Sequence, residues 1–123
     1  MSENKLGVKS GFLYDLTQKR FIDAYDGTII GRSSGTLTFE DDALMSREHF
    51  KLINIGSQLY ISDLDSTNGT RINGVRIGAG KRVPIHDDDL IEAGQQVFYY
   101  TFKQELPTRT SLIDRMKAMK SPR

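Results

Sequence analysis

Apolar and polar residues alternate with period two in several short runs of this chain, as at Leu37/Phe39 and Leu59/Ile61. Such alternation buries one face of an extended segment and leaves the other in water, which is the pattern of a half-buried strand. Eleven short β-rich runs separated by turn residues, several of them alternating in this way, predict strands over Gly11–Leu16, Arg20–Tyr25, Thr28–Arg32, Thr36–Phe39, His49–Ile55, Gln58–Leu64, Thr70–Asn73, Val75–Gly78, Lys81–Ile85, Asp89–Gly94 and Gln96–Phe102. Asp26-Gly27, Gly56-Ser57 and Asn73-Gly74 read as two-residue hairpin turns, because turns that match strand twist need positive φ at a central position. Evenly spaced short strands, with no helical period before residue 104, predict an all-β fold, either an antiparallel β-sandwich or a barrel.

The pattern changes at Leu106-Pro107. Beyond it, Leu112, Met116 and Met119 recur at helical spacing among basic residues. This tail reads either as a terminal helix or flexible end, or as a linker helix leading to an output domain beyond residue 123. The chain is therefore divided into a flexible N-terminal segment (1–9), one β domain (10–104) and a tail or linker helix (105–123).

Composition narrows the chemistry. A chain of 123 residues holds one domain with one core. Its 17 basic residues are nearly balanced by 16 acidic ones, so no broad positive field points to nucleic acid, and any anion site must be local. The absence of cysteine excludes disulfides and thiolate metal sites, and two histidines are too few for an ordinary zinc site. Met1 to Lys9 contain no apolar core of a signal peptide, and no run is long enough to span a membrane. The reading is a soluble, intracellular, cytoplasmic protein. Phe98, Tyr99, Tyr100 and Phe102 lie together with only Lys103 beside them, which reads as core and not as a base-stacking surface.

The candidate chemistry lies between Gly31 and Gly74. Gly31-Arg32 is followed, fourteen positions on from Arg32, by Ser46-Arg47-Glu48-His49. Ser66-Thr67-Asn68-Gly69-Thr70 and Asn73-Gly74 come next. Taken singly, Arg32 is a surface arginine and Ser66 to Thr70 is a turn. A hydrolase triad of Ser46, His49 and Asp63 is set aside, since no strand–Gly-x-Ser-x-Gly–helix elbow is present. In this order and spacing, however, the motifs resemble the forkhead-associated (FHA) domain, a module that binds phosphothreonine peptides. The resemblance runs from about Thr28 to Phe102.

That resemblance implies an eleven-stranded sandwich of two sheets, no enzymatic activity and no cofactor or metal. It implies that Arg32, Ser46, Arg47 and Thr67 hold the phosphate. Arg32 would offer a planar fork of donors, Ser46 its hydroxyl, and Arg47 either a backbone N–H or a second guanidinium. Asn68 would meet the main chain of the bound peptide, an amide being donor and acceptor at once. Gly31, His49, Gly69 and Asn73 would support the site, with His49 bracing the two recognition loops and Asn73 holding the second loop in place. Of Ala43, Leu44 and Met45, one is expected to point inward. The partner would be a phosphothreonine-containing protein or peptide in a Ser/Thr kinase pathway, with no nucleic acid and no membrane. A protein–protein scaffold or oligomerisation domain whose phosphate site is unused is the alternative.

Two positions depart from the family pattern. Asp87-Asp88-Asp89 stands where Asp-Gly-Asp is common, so a left-handed turn residue would be an aspartate. Leu37 and Phe39 are out of step by one residue, which predicts a bulge or a shifted strand.

Overall fold

All eleven expected strands form in the computed structural model, which describes residues 7–107 and 109–120. In chain order they are β1 (Lys9–Asp15), β2 (Arg20–Tyr25), β3 (Ile29–Gly31), β4 (Leu37–Thr38), β5 (Phe50–Ile55) and β6 (Gln58–Asp63). They continue as β7 (Thr70–Ile72), β8 (Val75–Arg76), β9 (Arg82–Pro84), β10 (Leu90–Ala93) and β11 (Gln96–Thr101), followed by helix α1 (Arg109–Lys120). A six-stranded sheet runs β2-β1-β11-β10-β7-β8 and a five-stranded sheet runs β4-β3-β5-β6-β9. The expected segment 1–9 lies outside the described residues up to residue 6. Gly7 and Val8 already bond to the backbone of Asp26, and β1 begins at Lys9.

The two sheets face each other across an apolar core. Leu13, Ile30, Phe50, Leu52, Ile61, Ile91 and Phe98 are fully buried in it. Phe98 meets Phe39 and Phe50 edge-on, with centroids 5.7 and 6.0 Å apart, the arrangement that aromatic quadrupoles favour. Alternation works as read in β5 and β6, where Phe50, Leu52, Leu59 and Ile61 enter the core. The out-of-step Leu37 and Phe39 resolve into a two-residue β4 that pairs parallel to β3, with Phe39 beyond it in the core. The strand pairs are otherwise antiparallel.

Two expectations are corrected. Asp26-Gly27 is a tight turn but not a hairpin. Thr28 N–H closes it on the Tyr25 carbonyl, while Gly27 N–H bonds to Leu52 in the other sheet, so the chain crosses between sheets here. Phe102 is not core: β11 ends at Thr101, and Phe102 is 60% exposed, its N–H held by Asp87. Of the readings of the tail, a terminal helix forms as α1. Leu112 and Met116 pack on Leu90, Val97 and Tyr99, covering part of the outer face of the six-stranded sheet.

The Asp87-Asp88-Asp89 turn shows why aspartate can replace glycine there. Asp88 takes φ 77°, a left-handed conformation that costs about 1–2 kcal/mol for a residue with a Cβ. Its carboxylate accepts from Tyr99 Oη–H, and its carbonyl accepts from Arg115 on α1. The arginine lies 5.9 Å from the Tyr99 ring centroid. The turn residue thus ties the sheet and the helix together.

Candidate functional site

The candidate residues sit on loops at one end of the sandwich, where β3, β5 and β6 deliver their ends. Backbone bonds weld the first two loops: Arg32 N–H donates to the Ser46 carbonyl (2.8 Å) and Ser34 N–H to the Arg47 carbonyl (3.1 Å). This approach is so close that a Cβ on Gly31 would lie 1.9 Å from the Arg47 oxygen, which only glycine permits. Arg32 follows directly. Its Nε–H donates to the Met45 carbonyl at 3.1 Å, fixing the side chain and leaving both terminal NH2 groups of the fork without a partner among the described residues. Arg47 is exposed.

His49 is fully buried and its bonds define its tautomer. Ser46 N–H donates to Nδ1 (3.0 Å), so Nδ1 carries no hydrogen, and Nε2–H donates to the Gly69 carbonyl (2.8 Å). The ring therefore joins the Ser46 loop to the Gly69 loop. Both ring nitrogens being engaged this way, His49 makes no side-chain hydrogen bond to Ser46 Oγ or to Asp63, and the triad arrangement does not form. Ser46 Oγ accepts from Thr67 N–H at 2.9 Å and keeps its own hydrogen for a further acceptor. Asn68 Nδ2 donates to the Leu44 carbonyl at 2.9 Å, so part of its amide clamps the loops, and Oδ1 and the second N–H stay available.

Arg32, Ser46, Arg47, Thr67 and Asn68 line one open groove of about 780 Å³. Leu44 also lines it and is 48% exposed, whereas Met45 is the inward residue at 2%. Asn73 lies elsewhere. It takes φ 50° at the head of the β7–β8 hairpin, donates from Nδ2 to Asp89 and accepts from Leu90 N–H. β7 carries the chain away from Thr70 before this turn, so Asn73 braces the 86–90 turn and makes no hydrogen bond to either groove loop. Among the described residues no cluster of His, Asp and Glu is arranged to hold a metal.

The anchoring role of two carboxylates escaped the sequence reading. Asp63 is 3% exposed and anchors the 66–70 loop. It accepts from Ser66 N–H (3.0 Å), Ser66 Oγ–H (2.6 Å) and Thr70 Oγ1–H (2.7 Å), and Ser66 Oγ in turn accepts from Gly69 N–H. The signal was an aspartate three residues before a serine, a spacing at which a side chain closes a local turn. Asp42 is the counterpart for the first loop, accepting from Leu44 N–H, Gln95 N–H and Gln96 Nε2.

Burial alone would raise the pKa of Asp63, but the hydroxyls of Ser66 and Thr70 and the Ser66 N–H outweigh it, so the carboxyl is held below its ordinary value of 3.8. A carboxyl depressed on folding adds stability that is complete above its unfolded value and is lost as pH falls through the folded one. Melting temperature should therefore drop as pH is lowered below 3.8. In Asp63→Asn that acid-dependent part should vanish, leaving a protein less stable at neutral pH and flatter in acid. An unchanged acid profile in the variant would contradict the anchor role.

Comparisons with known proteins bear on the family and the fold. Residues 28–94 match the family model of the FHA domain. The FHA domain-containing protein FhaB of Mycobacterium tuberculosis is 38% identical over 71 residues, covering 57% of this chain and 45% of that protein. FhaB of Mycolicibacterium smegmatis is 40% identical over 58 residues, covering 46% and 37%. The chain thus matches less than half the length of these curated relatives. Among solved structures, Mycobacterium tuberculosis EmbR in complex with a low-affinity phosphopeptide superposes with a TM-score of 0.70 at 26% identity, covering 80% of this chain and 26% of that one. A structure from an analysis of phosphothreonine-dependent FHA domain interactions gives 0.64 at 25% identity, covering 79% and 97%.

Proposed function

The chain belongs to the FHA domain family, and from that premise we propose that it is a phosphothreonine-dependent binding module, acting downstream of a Ser/Thr kinase as an adaptor or regulatory input. Arg32, Ser46, Arg47 and Thr67 hold the phosphate and Asn68 holds the peptide main chain. The observation that carries this reading is the convergence of two guanidiniums, a serine hydroxyl and an amide on one open groove whose loops are already cross-tied by His49. Donors held in place before the ligand arrives lose little freedom on binding, and charge-assisted bonds to a phosphate dianion are about twice as strong as neutral ones. The groove offers recognition without a nucleophile–base pair, which supports binding and not turnover.

The test is a calorimetric series with peptides identical except at one residue: threonine, phosphoserine and phosphothreonine. Unmodified threonine should show no measurable binding. Phosphothreonine should exceed phosphoserine by about fivefold to tenfold, because its methyl group contributes roughly 0.8 kcal/mol when buried and its β-branching restricts χ1 before binding. Equal affinity for the unmodified peptide would favour the scaffold alternative, in which the phosphate site is unused.

A further inference from the structure

Next to the phosphate groove, on the far side of the loop that follows β4, lies a second, acidic recess. Glu40 and Asp41 line both the groove and the recess. Both are exposed, and among the described residues neither has an ion-pair or hydrogen-bond partner. Asp42 lines the recess as well, its carboxylate held by the Gln95 and Gln96 bonds described above. One cation is present: Arg20, whose guanidinium lies 5.7 Å from the Phe39 ring centroid. Three carboxylates against one guanidinium leave the recess negative.

A second observation points the same way. Gln96 lines this recess and is 6% exposed. Its Nε2 donates to Asp42, which fixes the amide orientation, and its Oε1 is left without a hydrogen-bond partner. A buried carbonyl oxygen of this kind is satisfied by an N–H donor and not by an anion. Unpaired carboxylates and an unpaired carbonyl at one recess together call for a cationic donor.

We infer that this recess is a subsite for a Lys or Arg side chain flanking the phosphothreonine, so that the chain selects phosphopeptides with a basic residue beside the modified threonine. The inference rests on the phosphothreonine reading of the groove and deepens it. Arg32 and Arg47 attract the phosphate at one end while Glu40 and Asp41 attract the flanking cation at the other. A peptide carrying both charges is oriented by the pair, and one with an acidic flank is repelled by the same carboxylates.

The test is a Lys scan. A phosphothreonine peptide in an alanine background is titrated against the full chain, with one Lys, or one Glu, walked through the positions on either side. At one position or more, Lys should bind on the order of fivefold more tightly than Ala, as expected for a favourably placed surface pair, and Glu more weakly than Ala. The Lys advantage should shrink as salt is raised. In the Glu40→Gln, Asp41→Asn double variant the ratio of Lys to Ala affinity should fall towards one. Both substituted side chains are exposed, so a melting curve like that of the parent is expected and verifies the fold. A flat Lys scan on a peptide that does bind would overturn this inference alone, as would a Lys preference that survives in the double variant. Failure of every phosphothreonine peptide to bind would overturn the reading of the groove and this inference with it.

Discussion

Arg32→Ala should lose phosphopeptide affinity by about 2–4 kcal/mol, roughly thirtyfold to a thousandfold. Two effects add. The fork that pairs with the phosphate is gone, and the phosphate is left facing fewer donors than it needs. A micromolar ligand would become nearly undetectable by calorimetry. The fold should respond less, because the single bond lost from Nε–H to the Met45 carbonyl is a neutral-acceptor bond at the edge of the core, worth about 1 kcal/mol. Arg32→Lys separates charge from geometry, since a lysine supplies the charge without the planar pair of donors. It should recover only part of the loss. Wild-type affinity in Arg32→Ala would remove Arg32 from the phosphate site.

Gly31→Ala should damage both stability and binding. A Cβ there would sit 1.9 Å from the Arg47 carbonyl oxygen and 2.5 Å from that of Ser34. Both obstacles are backbone, so no rotamer change relieves them. The 32–36 segment must move away from Ser46 and Arg47, which breaks the bonds from Arg32 N–H and Ser34 N–H. Overpacking of this kind costs about 1–3 kcal/mol, and each lost bond adds about 1 kcal/mol. For a domain of this size each kcal/mol lowers the melting temperature by about 4–8 °C, so a loss of about 3–5 kcal/mol corresponds to a drop on the order of 12–40 °C. Because the displaced loops carry Arg32 and Ser46, phosphopeptide affinity should fall as well. Gly56→Ala is the control. Gly56 has a positive φ of 64° but nothing within 4 Å of an added Cβ, so only the conformational cost of about 1–2 kcal/mol applies. A Gly31→Ala protein as stable as Gly56→Ala would show that the loops do not need this close approach.

How much of this was legible in the sequence depended on the range of the interaction responsible. Alternation in β5 and β6 is a local signal, and both strands form as read. Asn73-Gly74 is local too, and both residues take positive φ at the head of a hairpin. Asp26-Gly27 carries the same kind of signal, yet its outcome is set by Leu52, in a strand of the opposite sheet that a pairwise turn rule does not consult. Strand ends were overestimated where the terminal residue, such as Asn73 or Gly94, leaves the ladder to make a turn. Phe102 was read as core by association with Phe98 and Tyr100, although the end of β11 puts it outside.

The site divides along the same line. Gly31, Arg32, Ser46, His49 and the 66–70 motif stand out because their order and spacing are unusual. Asp42 does not, since its partners Gln95 and Gln96 are more than fifty residues away in the chain. Asp63 was visible only as a candidate for chemistry it does not perform. Asn73 lies in the motif but points at Asp89 and Leu90, because the length of β7 carries it away from the groove. The motif residues identify the groove, and the buried carboxylates that hold its loops appear only once the strands are assembled.

The central claim, that phosphothreonine is read in the groove between the 44–48 and 66–69 loops, is tested most directly by mapping amide chemical shifts in a titration of the isotopically labelled chain with a phosphothreonine peptide. The account predicts large perturbations at the backbone amides of Ser46, Arg47, Thr67 and Asn68 and at the Arg32 Nε–H. Asn73 to Val75, with side-chain and turn contacts directed away from the groove, should stay still, and the unphosphorylated peptide should shift nothing. Perturbations centred on α1 or the 86–90 turn, or an identical map with the unphosphorylated peptide, would contradict it.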